Sequence, residues 1–253
     1  MGARCGGRRA ASACSARSAS RGFDARASVR ALNRLCIENS AFEADGEFLA
    51  TVFFGIVDAD RRTMQYVSAG HEAAYVVEHL FDDNSVAFSI ADISGKGARA
   101  AVHAALIKYG LRAFSSHGLA PERALRSPDR LYLENNNFEQ NESFATVFFG
   151  LVDPKRKVMA YASAGHEPVI IVHPDRTVEV LAPTAPLIGV FDDQHHLFTQ
   201  DVVTLSAGTL FVATTDGVTE SRNSKGEMFA MDRFIAIVKN NFDCELKQLI
   251  ASV

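Results

Sequence analysis

A segment of about fifty residues occurs twice in this chain, and this repeat constrains the fold more than any other feature of the sequence. Residues 50–58 recur as residues 145–153 with a single change, from Ile56 to Leu151, and residues 68–72 recur unchanged as residues 163–167. Because the copies share one apolar pattern, both should adopt the same local structure. Two copies are too few for a solenoid, which needs at least three repeats.

The sequence pattern of each copy predicts a helix followed by three strands. In the first copy, residues 50–57, 63–68 and 73–77 have the β-branched and aromatic content of strands, and residues 58–60 form a turn. The paired phenylalanines in each copy, Phe148 and Phe149 in the second, are predicted to lie in the core.

The rest of the chain adds further elements of both kinds. We predict strands at residues 177–181, 196–205 and 209–214, and amphipathic helices at residues 228–240 and 244–253. Runs of strands flanked by helices predict an α+β fold, with helices outside two mostly antiparallel sheets.

An aspartate lies where a strand, a Gly-rich turn and a helix meet. Residues 86–90 are predicted to be a strand and residues 98–114 a helix, with Asp92 between them. Gly95 and Gly97 allow the backbone to pass close to a ligand, and the helix N-terminus presents free N–H groups. Because a carboxylate repels phosphate unless a cation lies between them, this arrangement favours a divalent metal with phosphate on its far side.

Two other interpretations of this motif compete with the metal site. The Gly-Lys-Gly sequence matches half of a nucleotide-binding P-loop, but no glycine stands five residues before Gly95, and no Ser or Thr follows Lys96. Asp92 could also cap the helix, which is the commoner role of a single Asp in a turn. The motif alone leaves the helix cap and the metal ligand equally supported.

A second strand that ends in an Asp-Gly pair favours the metal-site interpretation. The predicted strand at residues 209–214 leads directly to Asp216 and Gly217. Two strand-terminal aspartates in glycine-bearing turns can converge at one rim of a β-sandwich. We therefore expect Asp92 and Asp216 to lie at the same rim, close enough to share a metal-centred site.

Three segments together resemble a known family. Residues 91–97 (Ala-Asp-Ile-Ser-Gly-Lys-Gly), 163–168 (Ser-Ala-Gly-His-Glu-Pro) and 215–220 (Thr-Asp-Gly-Val-Thr-Glu) are similar in order and spacing to motifs of the bacterial metal-dependent protein phosphatases of PPM type. More narrowly, they resemble the branch that contains SpoIIE and RsbU. The resemblance extends from about Asp82 to the C-terminus and implies a four-layer α-β-β-α sandwich.

The resemblance also implies a site and a substrate class. In a site with two Mn²⁺ or Mg²⁺ ions, Asp92 would bridge both ions, Ile93 would contribute its carbonyl and Asp216 would hold one ion. Phosphate-binding or turn positions would be Gly95, Lys96, Gly97 and Gly217. The implied substrate is a phosphorylated protein, an anti-sigma-factor antagonist in sigma-factor partner switching, and the resemblance allows a homodimer.

The chain departs from the family pattern at two carboxylates. The family's Gly-Asp-aromatic-aromatic-Asp segment is replaced by residues 73–80, in which Glu78 is a weak candidate ligand, and its Asp-Asp-x-Thr strand has no counterpart before Val253. We therefore expect a weakened two-ion site. The expected organisation is a disordered basic tail at 1–22, a partial repeat at 23–78 and a C-terminally truncated phosphatase domain at 79–253.

Composition excludes several other classes of protein. The net charge of −4 combines +6 in residues 1–30, from seven arginines and one aspartate, with −10 in the remainder, and an acidic body argues against nucleic acid as the main partner. The basic tail has no apolar core typical of a secretory signal, and its composition favours disorder over a mitochondrial-type presequence. No apolar run is long enough for a membrane span. Four dispersed cysteines favour a cytoplasmic location.

Other polar residues are weaker candidates for metal or phosphate binding. His71 and His166 are paired by the duplication itself, so we interpret their turns as structural. His195 and His196 are adjacent, and neighbouring side chains on a strand point to opposite faces. Lys96 is equally well explained as a solvated turn residue or as a phosphate contact.

Three functional hypotheses follow from the sequence. The first is a metal-dependent serine/threonine phosphoprotein phosphatase. The second is a catalytically inactive pseudophosphatase that acts as a protein-binding module, and the third is a truncated gene product. Binding of Mn²⁺ distinguishes the enzyme from the inactive module, because only the enzyme requires it.

Overall fold

The computed structural model describes residues 52–58, 63–69, 79–80, 85–95, 97–115, 120–139, 143–191, 197–220, 222 and 226–240. The predictions for the basic tail, the strand at 73–77 and the helix at 244–253 lie outside these residues. No helix in the described part of the chain is long and apolar enough to cross a membrane.

The described strands form two five-stranded sheets, and every strand pairing within them is antiparallel. Sheet I has the order β3 (His79–Leu80), β4 (Val86–Ile93), β5 (Ala145–Asp153), β6 (Val158–Ala164) and β9 (Asp201–Thr204). Sheet II has the order β2 (Thr63–Ala69), β1 (Val52–Asp58), β10 (Thr209–Thr214), β7 (Val169–Val172) and β8 (Val178–Leu181).

Helices pack against both sheets. The long helices α1 (Ala98–Ser115) and α2 (Pro121–Glu139) contact each other, α1 contacts β4, and α2 contacts β5 and β6. A single-turn helix, α3 (Asp216–Thr219), follows β10, and α4 (Met231–Asn240) contacts β7 in sheet II. The α+β class is as predicted, while the complete four-layer arrangement remains a prediction.

Side-chain alternation along the strands builds two hydrophobic clusters. In β4, Phe88 and Ile90 face the interior between the two sheets, whereas the smaller Ala87 and Ala91 face the cluster that includes residues of α1 and α2. The Phe88 ring stacks on Phe211 of sheet II with centroids 4.8 Å apart, so the two sheets are in direct contact.

The phenylalanine pair of the second copy is divided between these clusters. Phe148 lies between the sheets and Phe149 faces the helices, and both are buried, as predicted. Successive residues of β5 point to opposite faces, so one short apolar run contributes to both cores.

The two copies of the repeat form hairpins with the same register. In the first, β1 and β2 pair Val52 with Ala69, and in the second, β5 and β6 pair Val147 with Ala164. The first hairpin extends sheet II because β1 pairs along its length with β10. This pairing agrees with the expectation that the first copy would extend a sheet of the remaining chain.

Two predicted elements are shorter in the structure. The strand predicted at 196–205 is present only at Asp201–Thr204. The reason is that Thr199 is hydrogen-bonded to Thr184, with Thr199 Oγ1 donating to the Thr184 carbonyl at 2.8 Å. The helix predicted from Met228 begins at Met231, because Ala230 has a φ of 64° and Met228 pairs in a β-bridge with Arg222.

Candidate metal centre

Strand β4 carries Asp92 to its position by pairing with β5. Asp92 lies opposite Thr146, and Ile93 lies opposite Ala145. The pairing continues one step into the turn, where the Ser94 N–H donates to the Phe144 carbonyl at 2.9 Å and the Phe144 N–H donates to Ser94 Oγ at 2.8 Å. Two hydrogen bonds between Ser94 and Phe144 therefore hold the end of β4 against the residue that precedes β5.

The Gly-rich turn requires glycine because of its backbone conformation. Gly95 and Gly97 have φ values of 92° and 83°, which side chains disfavour, and no heavy atom lies within 4 Å of a Cβ built at either position. Helix α1 starts at Ala98, directly after Gly97, whereas Asp92 lies within β4. Asp92 is thus not the helix cap, and this alternative interpretation is wrong.

Strand β10 carries Asp216 in a similar way. Thr215 has an extended backbone after the strand, and Asp216 opens helix α3, where its carbonyl accepts the Glu220 N–H at 2.7 Å. Gly217, which was expected in a turn, is the second residue of this helix. Asp216 itself is exposed, while Thr215 is buried.

A crossover between the sheets passes the same rim. Strand β6 of sheet I ends at Ala164, and β7 of sheet II begins at Val169. Between them, Gly165 has a φ of 59°, and its N–H donates to the Ala185 carbonyl at 3.1 Å. The residues that follow Gly165 therefore run from one sheet to the other.

These three regions meet in one pocket. Its lining comprises Asp92, Ile93, Ser94, Phe144, Thr146, Gly165, His166, Glu167, Thr215 and Asp216. The structure thus brings the predicted residues Asp92, Ile93 and Asp216 together at a single rim of the sandwich. Of the other candidates, Glu78, Lys96, His71, His195 and His196 lie outside the described residues.

The pocket contains a carboxylate that the sequence interpretation missed. Glu167 lines it together with Asp92 and Asp216, yet the Ser-Ala-Gly-His turn before it was expected to be only structural. The signal available in the sequence was an acidic residue directly after a Gly-His turn at a strand end. The sequence did not show that the chain crosses between the sheets at this point.

Burial and like charges shift the ionisable groups of the pocket. Burial, followed by the negative charges of Asp216 and Glu220, raises the pKa of Glu167. Burial also lowers the pKa of His166 to about 3, so its imidazole is neutral near pH 7. His166 Nδ1 lies 2.9 Å from Thr146 Oγ1, and its Nε2 has no hydrogen-bond partner among the described residues.

The donor set suits a hard divalent cation. Three carboxylates and the backbone carbonyl of Ile93 are oxygen donors, which Mg²⁺ and Mn²⁺ prefer, and no Lys or Arg is among the lining residues in the described part of the chain. No group of three His, Cys, Asp or Glu side chains in the described ranges is arranged to hold one ion. The residues therefore fit an ion held by one or two carboxylates with water in its remaining positions.

Comparison with known protein families assigns most of the chain to one family. Residues 82–253, more than half of the chain, match the family model described as Stage II sporulation protein E (SpoIIE). The chain belongs to the SpoIIE family. The resemblance seen in the three sequence motifs is thereby confirmed.

Two related proteins illustrate the similarity. The chain is 27% identical over 194 residues to Protein IcfG of Synechocystis sp., covering 67% of this chain and 30% of that protein. It is 31% identical over 147 residues to Phosphoserine phosphatase RsbU of Bacillus subtilis, covering 57% of this chain and 42% of RsbU. The chain thus spans less than half of either relative's length.

A solved structure supports the fold of this SpoIIE-family chain. The SiaA-PP2C domain of Pseudomonas aeruginosa matches with a TM-score of 0.60 at 17% identity, covering 87% of this chain and 85% of that domain. At this level of identity the match shows the PP2C-type fold alone. It agrees with the α+β arrangement of helices and two antiparallel sheets.

Proposed function

We propose that this chain is a metal-dependent serine/threonine phosphoprotein phosphatase. The observation that carries the proposal is that Asp92, at the end of β4 in sheet I, and Asp216, just after β10 in sheet II, line the same pocket. Membership of the SpoIIE family supports the reaction class. The RsbU relative is itself named a phosphoserine phosphatase.

The proposed metal ligands are the carboxylates of Asp92 and Asp216 and the carbonyl of Ile93. Divalent Mn²⁺ or Mg²⁺, when bound, would supply an activated water and neutralise the charge of the phosphoryl oxygens. Asp92 is positioned by the β4–β5 pairing, and Asp216 by β10 and α3. Because these supports come from separate sheets, the packing between the sheets sets the separation of the two carboxylates.

The proposed substrate is a phosphorylated regulatory protein, an anti-sigma-factor antagonist of partner switching. Two features of the pocket favour a protein substrate. Phe144 lines the pocket with 42% of its surface exposed, and can contact an apolar residue beside the phosphorylated side chain. The glycine turn at Gly95 and Gly97 leaves open space above the backbone, which allows a chain to approach.

A second candidate function is a binding module without activity. It is favoured by one observation, that no three ligand side chains among the described residues form a closed metal site. In that case the pocket and its rim would bind a regulatory protein without hydrolysing its phosphate group. The two candidates differ in whether catalysis depends on Mn²⁺ and on Asp92.

The experiment is a phosphatase assay on a phosphoserine peptide, with Mn²⁺ titrated from zero to millimolar concentration. We expect slow hydrolysis that requires Mn²⁺ and falls to background in Asp92→Ala, because this change removes a carboxylate that would hold the metal. Asp232→Ala, which removes an exposed carboxylate on α4, is the matched control and should retain the activity. Activity without added metal, or activity unaffected by Asp92→Ala, would contradict the proposal; no activity at all would favour the binding module.

A further inference from the structure

The crossover between β6 and β7 places two polar side chains in the pocket. Because β6 belongs to sheet I and β7 to sheet II, the crossover runs from the sheet that carries Asp92 to the sheet that leads to Asp216. His166 and Glu167 both lie on this crossover and both line the pocket. Neither is among the metal ligands proposed above.

Glu167 lies in an environment that disfavours its charge. It is partly buried, and the carboxylates of Asp216 and Glu220 are close enough to act on it electrostatically. With Asp92, three carboxylates line the pocket, and no Lys or Arg is found among the described lining residues. A divalent cation between these groups would turn the repulsion into attraction.

His166 provides a second, independent observation at this position. His166 is only 1% exposed, and its Nδ1 is hydrogen-bonded to Thr146 Oγ1 at 2.9 Å. The second ring nitrogen, Nε2, is buried and has no partner among the described residues, although buried polar atoms are normally hydrogen-bonded. Since His166 is part of the pocket wall, a water bound to an ion in the pocket would satisfy Nε2 without making His166 a third ligand side chain.

We infer that Glu167 joins Asp216 in holding one divalent ion in this pocket. Mg²⁺ is commonly held by one or two carboxylates with several waters, so this pair does not need a third side chain. The inference therefore agrees with the lack of a three-ligand group in the described part of the chain. It rests on the proposed function only in assuming that the pocket binds metal.

The test is Mn²⁺ affinity, measured on the full chain from the electron paramagnetic resonance signal of free Mn²⁺. Glu167→Gln keeps the side-chain size and removes the charge, and we expect it to weaken Mn²⁺ binding by about 10-fold or more. Glu220→Gln is the matched control, since Glu220 also acts on Glu167 but is exposed and does not line the pocket. Because an exposed charge is screened by solvent and salt, the control should lose less than about 3-fold in affinity.

The melting temperature in the presence of a chelator provides a second readout. Without metal, Glu167→Gln should melt at the same temperature as the wild type or higher, because it removes a repelling charge. With Mn²⁺, its stabilisation by the ion should be smaller than that of the wild type. A purely structural role for Glu167 predicts the reverse, with a lower melting temperature in chelator and an unchanged Mn²⁺ affinity.

The outcomes separate this inference from the proposed function. Unchanged Mn²⁺ affinity in Glu167→Gln, an equal loss in Glu220→Gln, or a Glu167→Gln chain that does not fold in chelator would overturn the inference. Failure of the wild type to bind Mn²⁺ would overturn both. Normal Mn²⁺ binding that depends on Glu167, in a chain with no phosphatase activity, would overturn the proposed function and leave the inference intact.

Discussion

The two copies of the repeated segment form matching hairpins in different sheets. Every β1–β2 pair has a counterpart in β5–β6 that lies 95 residues later, from Val52 and Ala69 to Val147 and Ala164. Each hairpin also lies beside a strand that leads to a candidate metal ligand. β5 pairs with β4, which contains Asp92, and β1 pairs with β10, which precedes Asp216.

The correspondence extends to the centre of the sandwich. Gly150 of the second copy lies opposite Phe88, and Gly55 of the first copy lies opposite Phe211. The two phenylalanine rings stack on each other between the sheets. Both glycines thus face an aromatic residue that belongs to the neighbouring central strand.

The two hairpins differ in what surrounds them. The second lies inside sheet I, with β9 beyond β6 and α2 packed on it, whereas β2 is the edge strand of sheet II among the described strands. After the second copy, the chain crosses to β7 and carries Glu167 into the pocket. The shared sequence therefore adopts the same hairpin in both places, while the elements that neighbour it differ between the two sheets.

The largest expected effect comes from deleting the first hairpin. All six residues of β10 are buried, and removing residues 1–78 would leave β10 without its pairing to β1. We expect loss of several kcal/mol and a melting temperature lower by roughly 10 °C or more, since each kcal/mol is worth about 2–4 °C in a chain of this size. The measurement is thermal unfolding followed by circular dichroism.

Deletion of residues 1–22 is the control for this experiment. The basic tail has few large apolar residues, so its removal should leave the melting temperature unchanged. If the chain without residues 1–78 melts at the temperature of the full chain, the first hairpin does not contribute to the fold.

The next effect tests whether the two glycines are equivalent. A Cβ at Gly150 would lie 2.7 Å from two atoms of the Phe88 ring and 3.2 Å from Met159 Sδ. We expect Gly150→Ala to destabilise the protein by about 1–3 kcal/mol, as other overpacked cores are destabilised. Gly55→Ala should cost a similar amount if Phe211 packs against Gly55 as Phe88 packs against Gly150. Urea unfolding measures the free energy of unfolding of both variants. If Gly55→Ala leaves it unchanged, the two glycines are equivalent only in their backbone pairing.

The third expected effect is the pH dependence due to His166. Its pKa is about 3 in the folded state because of burial, below its ordinary value of about 6.5. Below pH 6.5 the unfolded chain therefore binds a proton that the folded chain does not, and stability falls as the pH falls towards 3. The slope is at most about 1.4 kcal/mol per pH unit.

Two variants test whether the matching histidines of the two copies contribute alike to the pH dependence of stability. In metal-free protein, His166→Gln should flatten the stability profile between pH 6.5 and pH 4, measured by urea unfolding. His71→Gln, at the matching position of the first copy, tests whether the other histidine behaves alike. A steep profile that persists in His166→Gln would show that another group causes the acid sensitivity.

Local patterns in the sequence predicted the elements that position the site. The strand before Asp92, helix α1 and the strand before Asp216 follow from apolar runs and glycine-bearing turns, which act over short distances. The boundaries at Thr199 and Ala230 were wrong because a hydrogen bond to Thr184 and a left-handed backbone oppose local propensity. Glu167 was missed because its position depends on how the chain crosses between the sheets, which no local pattern encodes.

A double-mutant cycle on Mn²⁺ binding tests most directly whether the ends of β4 and β10 share one metal site. Calorimetry would give the Mn²⁺ affinity of the wild type, Asp92→Ala, Asp216→Ala and the double variant. Residues that hold the same metal centre are energetically coupled, so the losses should differ from additivity by about 0.5–3 kcal/mol. Strictly additive losses, or an Mn²⁺ affinity that neither substitution changes, would contradict a common site.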